Sequence, residues 1–86
     1  VTDFKIRYYI LLTVQDRVGI LAKVAGIFSK YNISISDFLQ KAEGVENIPI
    51  ILITHMTSEL SVRRAVEKIA ALEDVLAVNS VIRVEG

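Results

Sequence analysis

Asp16 and Gly19 stand three residues apart in the stretch VQDRVGIL, residues 14–21. Strand-like alternation ends at Val14, and apolar residues recur at helical spacing from Val18. A carboxylate at Asp16 can cap such a helix by accepting from the free N–H groups of its first turn. A capping box then calls for Glu or Gln three residues on, where this chain has Gly19. Two readings of the glycine are open. It lets the helix pack closely on the preceding strand, or it leaves bare backbone around Val18, Gly19 and Ile20 for another molecule to approach. A helix N-terminus attracts a carboxylate or a phosphate, while Asp16 attracts an ammonium group. A positive pole beside a carboxylate suits a zwitterion, and so a free α-amino acid.

Other residues carry weaker chemistry. His55 is the sole histidine and has no obvious nucleophile partner, so it reads as structural or solvent-facing. One histidine cannot build a metal site unaided, and the chain has no cysteine for a disulfide or a thiolate site. Tyr8 and Tyr9 could stack on bases, but RNA-binding sheets of this order also need aromatics on the third strand. That segment, IPIILITH, has none. Gln15 and Arg17 could hold a phosphate in an acyl-phosphate hydrolase, but Asp16 between them would repel it. No residue is read as catalytic or as a metal ligand, and no cofactor is expected.

Charge and composition narrow the class further. Ten basic residues balance ten acidic ones, which argues against the basic footprint of a nucleic-acid binder. No apolar run approaches a membrane span. The absence of cysteine fits a reducing cytoplasm. At 86 residues, one domain burying about 60–65% of its unfolded surface is expected. Apolar residues make up 52% of it, so either the core is unusually complete or another chain covers part of the surface. The first residue is Val1, which reads as a piece of something longer.

The elements that must position Asp16 and Gly19 follow from periodicity. Residues 6–14 alternate as a first strand, with Ile6, Tyr8, Ile10, Leu12 and Val14 on one face. Residues 18–31 form a helix with Leu21, Val24, Ala25, Phe28 and Tyr31 inward, ended by Asn32 in the left-handed conformation. Residues 33–41 are a second strand, 42–47 a turn and 48–55 a third strand, with Pro49 tolerable near its start. Thr57 or Ser58 caps a second helix to about residue 72, with Val62, Ala65, Val66, Ile69 and Leu72 inward. Residues 75–84 are the fourth strand. The runs Arg63–Arg64 and Glu73–Asp74 read as solvated surface charge. Short connections and right-handed crossovers turn this β-α-β-β-α-β order into a ferredoxin-like α+β sandwich. Its four-stranded antiparallel sheet has strand order 4-1-3-2, with both helices on one face.

The run QDRVGILAKVAGIFSKYNISI resembles the opening of an ACT domain, a helix patterned D-x-P-G-[VIL]-L followed by an N-I-x-[IV] strand. Asp16, Gly19, Ile20, Leu21, Ala22, Val24, Ile27, Phe28, Asn32, Ile33 and Ile35 fit that pattern. Val18 departs from it, because the family usually has proline there, and proline would pre-set the backbone at the helix start. The stretches ISDFLQK, IILITH and VLAVNSVIRVE look more narrowly like the C-terminal ACT domain of bacterial homoserine dehydrogenases. The resemblance implies a regulatory module that binds an amino acid at an interface between two copies. It also implies threonine feedback on an attached NAD(P)-dependent catalytic domain.

Energetics also ask for two copies. An exposed helix N-terminus contributes about 0.3–1 kcal/mol to anion binding, about 2 at best. Even a millimolar ligand needs about 4 kcal/mol. A second surface must enclose the ligand. The second strand is a sheet edge, and Ile33, Ser34, Ile35 and Ser36 lack the proline or lysine that guards such edges. A homodimer through this edge is therefore expected. Each ligand would lie between one copy's Asp16, Arg17, Val18, Gly19, Ile20 and Leu21 and the partner's Ser34, Ile35 and Ser36. The rival reading is a ligand-free dimerisation module of a metabolic enzyme. The third strand is apolar on both faces, so a second covering layer beyond the helices is also expected.

Overall fold

Alternating apolar residues build the middle of the sheet, and the computed structural model describes it over residues 5–15, 19–40 and 47–84. The elements are β1 (Lys5–Gln15), α1 (Ile20–Lys30), β2 (Ile35–Gln40), β3 (Asn47–Thr54), β4 (Thr57–Ser58), α2 (Glu59–Ala70) and β5 (Val75–Val84). β1 lies centrally, antiparallel to β3 on one side and to β5 on the other, and β2 pairs antiparallel with β3 at the edge. With β5 as the fourth long strand, this is the expected order. The sheet has a fifth member: the two-residue β4 pairs with Lys5 and Ile6, extending the ladder of β1. Two residues carry no periodicity, which is why β4 left no trace in the sequence.

One face of the sheet and one stripe of each helix make the core. Tyr8, Ile10, Leu12 and Val14 from β1 meet Ile48, Ile50 and Leu52 from β3, under Phe28, Val24 and Ile20 of α1 and Val62, Ala65 and Ile69 of α2. Val66 and Leu72 pack at its margin, as expected. α1 is rotated from the expected phase. Ile20 is buried, whereas Leu21 is 40% exposed and Ala25 is exposed. Apolar residues run most of the way round α1, so its spacing admits two phases. The burial of Ile20 selects the one built on Ile20, Val24 and Phe28.

Both helices end as their residues dictate. Asn32 has φ 63°, as expected of the residue that stops α1. Its N–H bonds Ser29 O at 3.0 Å, and Ile33 N–H bonds Phe28 O at 2.8 Å. These are the two bonds of a Schellman motif, and Ile33 is buried beneath it. Ser58 caps α2, its Oγ accepting from Ser61 N–H at 3.2 Å. Arg63, Arg64 and Glu73 are exposed, but Asp74 is buried, its carbonyl accepting from Gln15 N–H at 2.9 Å. The reading of Glu73–Asp74 as solvated therefore fails at its second residue, which joins β5 to the end of β1. No described helix is long and apolar enough to cross a membrane.

Candidate functional site

The entrance of α1 is made by Gly19. Its φ is 93°, a left-handed conformation that side chains rarely adopt, and it is itself the N-cap, its carbonyl accepting from Lys23 N–H at 3.0 Å. This corrects the expected start. The helix begins at Ile20, so Gly19 holds the cap position assigned to Asp16, and no capping-box residue is called for at 19. Asp16, Arg17 and Val18 lie outside the described residues. A Cβ on Gly19 would meet nothing within 4 Å, so close packing of helix on strand is not the reason for glycine here. Backbone conformation is, and among the described residues the direction a Cβ would take is open. With no side chain at the cap, the N–H groups of the first turn face outward without an intrahelical partner. Ile20 offers only backbone, because its side chain is buried; Leu21 projects an exposed side chain.

Ser34, Ile35 and Ser36 lie at the other end of the sheet. Ser34 is exposed, and its carbonyl accepts from His55 N–H at 2.8 Å, which ties the start of β2 to the end of β3. Ile35 pairs with Thr54 but Asp37 with Ile53, so Ser36 is the extra residue of a β-bulge. The alternation I-S-I-S gave no sign of it. The bulge turns the Ser36 hydroxyl toward the sheet. It lies 3.1 Å from both the Asp37 carboxylate and the Ile53 carbonyl, and it accepts from the Arg7 guanidinium at 3.1 Å. Arg7 also donates to the Thr54 carbonyl at 3.3 Å. A polar cluster thus crosses from β1 to the edge strand, and sequence spacing could not have found it. His55 is exposed and has no part in it through its ring.

The two halves of the expected site do not meet within one chain. Gly19 follows the end of β1, while Ser36 bonds Arg7 near its beginning. Eight residues of strand separate Arg7 from Gln15, roughly 25 Å. β2 has the same direction as β1, since each is antiparallel to β3. A second copy adding its β2 antiparallel to this one would invert that order. The partner's strand would then run with its start toward the end of the sheet where Gly19 lies. Within one chain the strand pairing holds these segments at opposite ends of the sheet.

Comparison with known proteins agrees with this architecture. The homoserine dehydrogenase of Corynebacterium glutamicum is 40% identical over 79 residues, which is 92% of this chain and 18% of that protein. The Bacillus subtilis homoserine dehydrogenase is 31% identical, over 99% of this chain and 20% of its own length. This chain thus spans about a fifth of these relatives. Among solved structures, a homoserine dehydrogenase from Thiobacillus denitrificans superposes with a TM-score of 0.86 at 38% identity, over 94% of this chain and 18% of that one. The ACT domain of a GTP pyrophosphokinase from Chlorobium tepidum shares the fold, with a TM-score of 0.64 at 19% identity over all of its length. The ACT domain family profile matches residues 8–74. With most of the chain matched and the helix-backed sheet in place, this chain belongs to the ACT domain family.

Proposed function

We propose that this chain is the regulatory domain of a homoserine dehydrogenase and binds a small free amino acid, with threonine the first to test. Gly19 carries the reading. A glycine held at φ 93° opens α1 with no side-chain cap on its first turn, and among the described residues nothing stands within 4 Å of where its Cβ would be. Such an entrance takes the ligand's carboxylate, and Asp16 takes its ammonium group. The opposing wall is the partner's Ser34–Ser36 segment, in a homodimer paired through β2. Antiparallel pairing of the two β2 strands is what carries that segment across the sheet. A bulge at a sheet edge is a common device for re-aiming groups beside a site, and this one falls at Ser36.

The mechanism is linkage. The amino acid binds one arrangement of the paired domains better than another, which biases the attached catalytic domain. Its effect is bounded by that difference in affinity, commonly about 1–3 kcal/mol. The domain needs no cofactor for this, and NAD(P) chemistry belongs to the rest of the parent enzyme, in the cytoplasm. A second reading, a ligand-free pairing module, is favoured by one observation. The Ser36 hydroxyl is already engaged by Arg7, Asp37 and Ile53 within the chain.

Titration calorimetry separates the two. Saturable heat with threonine, and little with larger amino acids, is the expected result. Absence of heat at millimolar concentrations of every small amino acid, with no rise in melting temperature, leaves the pairing module.

A further inference from the structure

Arg7 lies on β1, yet its guanidinium reaches past β3 to the edge strand. Its Nε donates to the Thr54 carbonyl at the end of β3, 3.3 Å away, and its Nη2 to the Ser36 hydroxyl, 3.1 Å away. Thr54 is fully buried and its own hydroxyl accepts from Tyr8 N–H, so the guanidinium is braced on a fixed carbonyl. The β2–β3 ladder runs from Asp37 to Gln40 without this reach. What Arg7 fixes is the hydroxyl of the bulge residue. A serine hydroxyl offers one proton and two lone pairs. At Ser36 the proton serves the Asp37 carboxylate and the Ile53 carbonyl, and Arg7 occupies one lone pair. Among the described residues the second lone pair has no partner. Asp37 beside it is exposed. What the segment has left to offer is acceptors, a hydroxyl lone pair and a carboxylate.

We infer that Arg7 is a positioning residue of the proposed amino-acid site, acting through Ser36, and that Asp37 binds the ligand's ammonium group there. This rests on the reading above, in which the Ser34–Ser36 segment of one copy faces the α1 entrance of the other. The two walls are then complementary in polarity. The entrance has N–H groups to give and receives the carboxylate. The partner's segment has acceptors to give and receives the ammonium, whose three donors it shares with Asp16. By donating to the hydroxyl, Arg7 keeps the Ser36 proton on Asp37 and Ile53 and off the ligand, where a proton would oppose an ammonium. A charged donor holds the hydroxyl in that sense more firmly than a neutral one. The bonds that engage Ser36 within the chain are thus what set its polarity.

Titration calorimetry of the 86-residue protein tests this in a double-mutant cycle over Arg7→Gln and Ser36→Ala. Threonine is the first ligand, followed by serine, alanine and glycine. The expected result is a Kd raised about tenfold in each single variant, with the double variant no weaker than Ser36→Ala alone. A bond that served only the fold would move stability, and its effect on affinity would not vanish with the Ser36 hydroxyl. Asp37→Asn is expected to raise the Kd by about tenfold or more. Circular dichroism confirms that each variant is folded. Arg7→Lys, which keeps the charge but not the fork, takes the place of Arg7→Gln in the cycle should that variant unfold. A wild type that binds, with a Kd unchanged by the Arg7 or the Asp37 substitution, overturns the inference and leaves the reading standing. So does an Arg7 effect of equal size with and without the Ser36 hydroxyl. No saturable heat in the wild type with any of the four amino acids overturns the reading and the inference together.

Discussion

Thr54 shows how much one hydroxyl can decide. It ends the buried face of β3, fully enclosed, where its neighbours on that face are isoleucine and leucine. Its Oγ1 accepts from Tyr8 N–H at 3.0 Å, so β3 holds the start of β1 where the regular pairing gives way to β4. Thr54→Val keeps the shape and removes the acceptor. A loss of about 1–3 kcal/mol is expected, with Thr54→Ser costing less, both measured as a shift of the urea midpoint at unchanged slope. Gly19 is the other decisive residue. Gly19→Ala meets no steric obstacle but must hold a left-handed conformation, so about 1–2 kcal/mol is expected to be lost. Gly19→Asn is expected to lose less, since asparagine tolerates that region. Equal losses in the two variants would assign the glycine another role. The sequence marked Gly19 as unusual but could not show its left-handed conformation, because spacing reports which residue stands where and not its φ.

At the scale of elements, legibility followed the contrast between faces. The phase of α2 was plain because Arg63, Arg64, Glu67 and Lys68 stand opposite Val62, Ala65 and Ile69. α1 lacks such a contrast: Leu21, Ala22 and Ala25 are apolar and exposed, so periodicity alone gave a phase that the burial of Ile20 overrules. β1, β3 and β5 were clear from alternation or from unbroken aliphatic runs. The bulge in β2 was not, because the side chains alternate through it while the partner strand does not. The α2 cap can be tested by itself. Ser58→Ala removes the acceptor of Ser61 N–H, and about 1 kcal/mol of stability should go with it. Ser58→Asp, which can also cap and suits the helix dipole, should restore most of that. A thermal melt of both variants reads the difference.

For the molecule as a whole, the candidate site was half legible. Its α1 entrance could be located from Asp16 and Gly19, and the β2 edge from its missing guards. That the two lie at opposite ends of one sheet required the strand pairing. That relation makes the proposed site a property of two chains, because one copy supplies the helix entrance and the other the wall. Nitrogen–proton NMR of the labelled protein during a threonine titration tests this most directly. Saturable shifts of the amides of Gly19, Ile20 and Leu21, together with those of Ser34, Ile35 and Ser36, are predicted, with both sets following one binding curve. Shifts at only one of the two ends, or none up to tens of millimolar threonine, would contradict it.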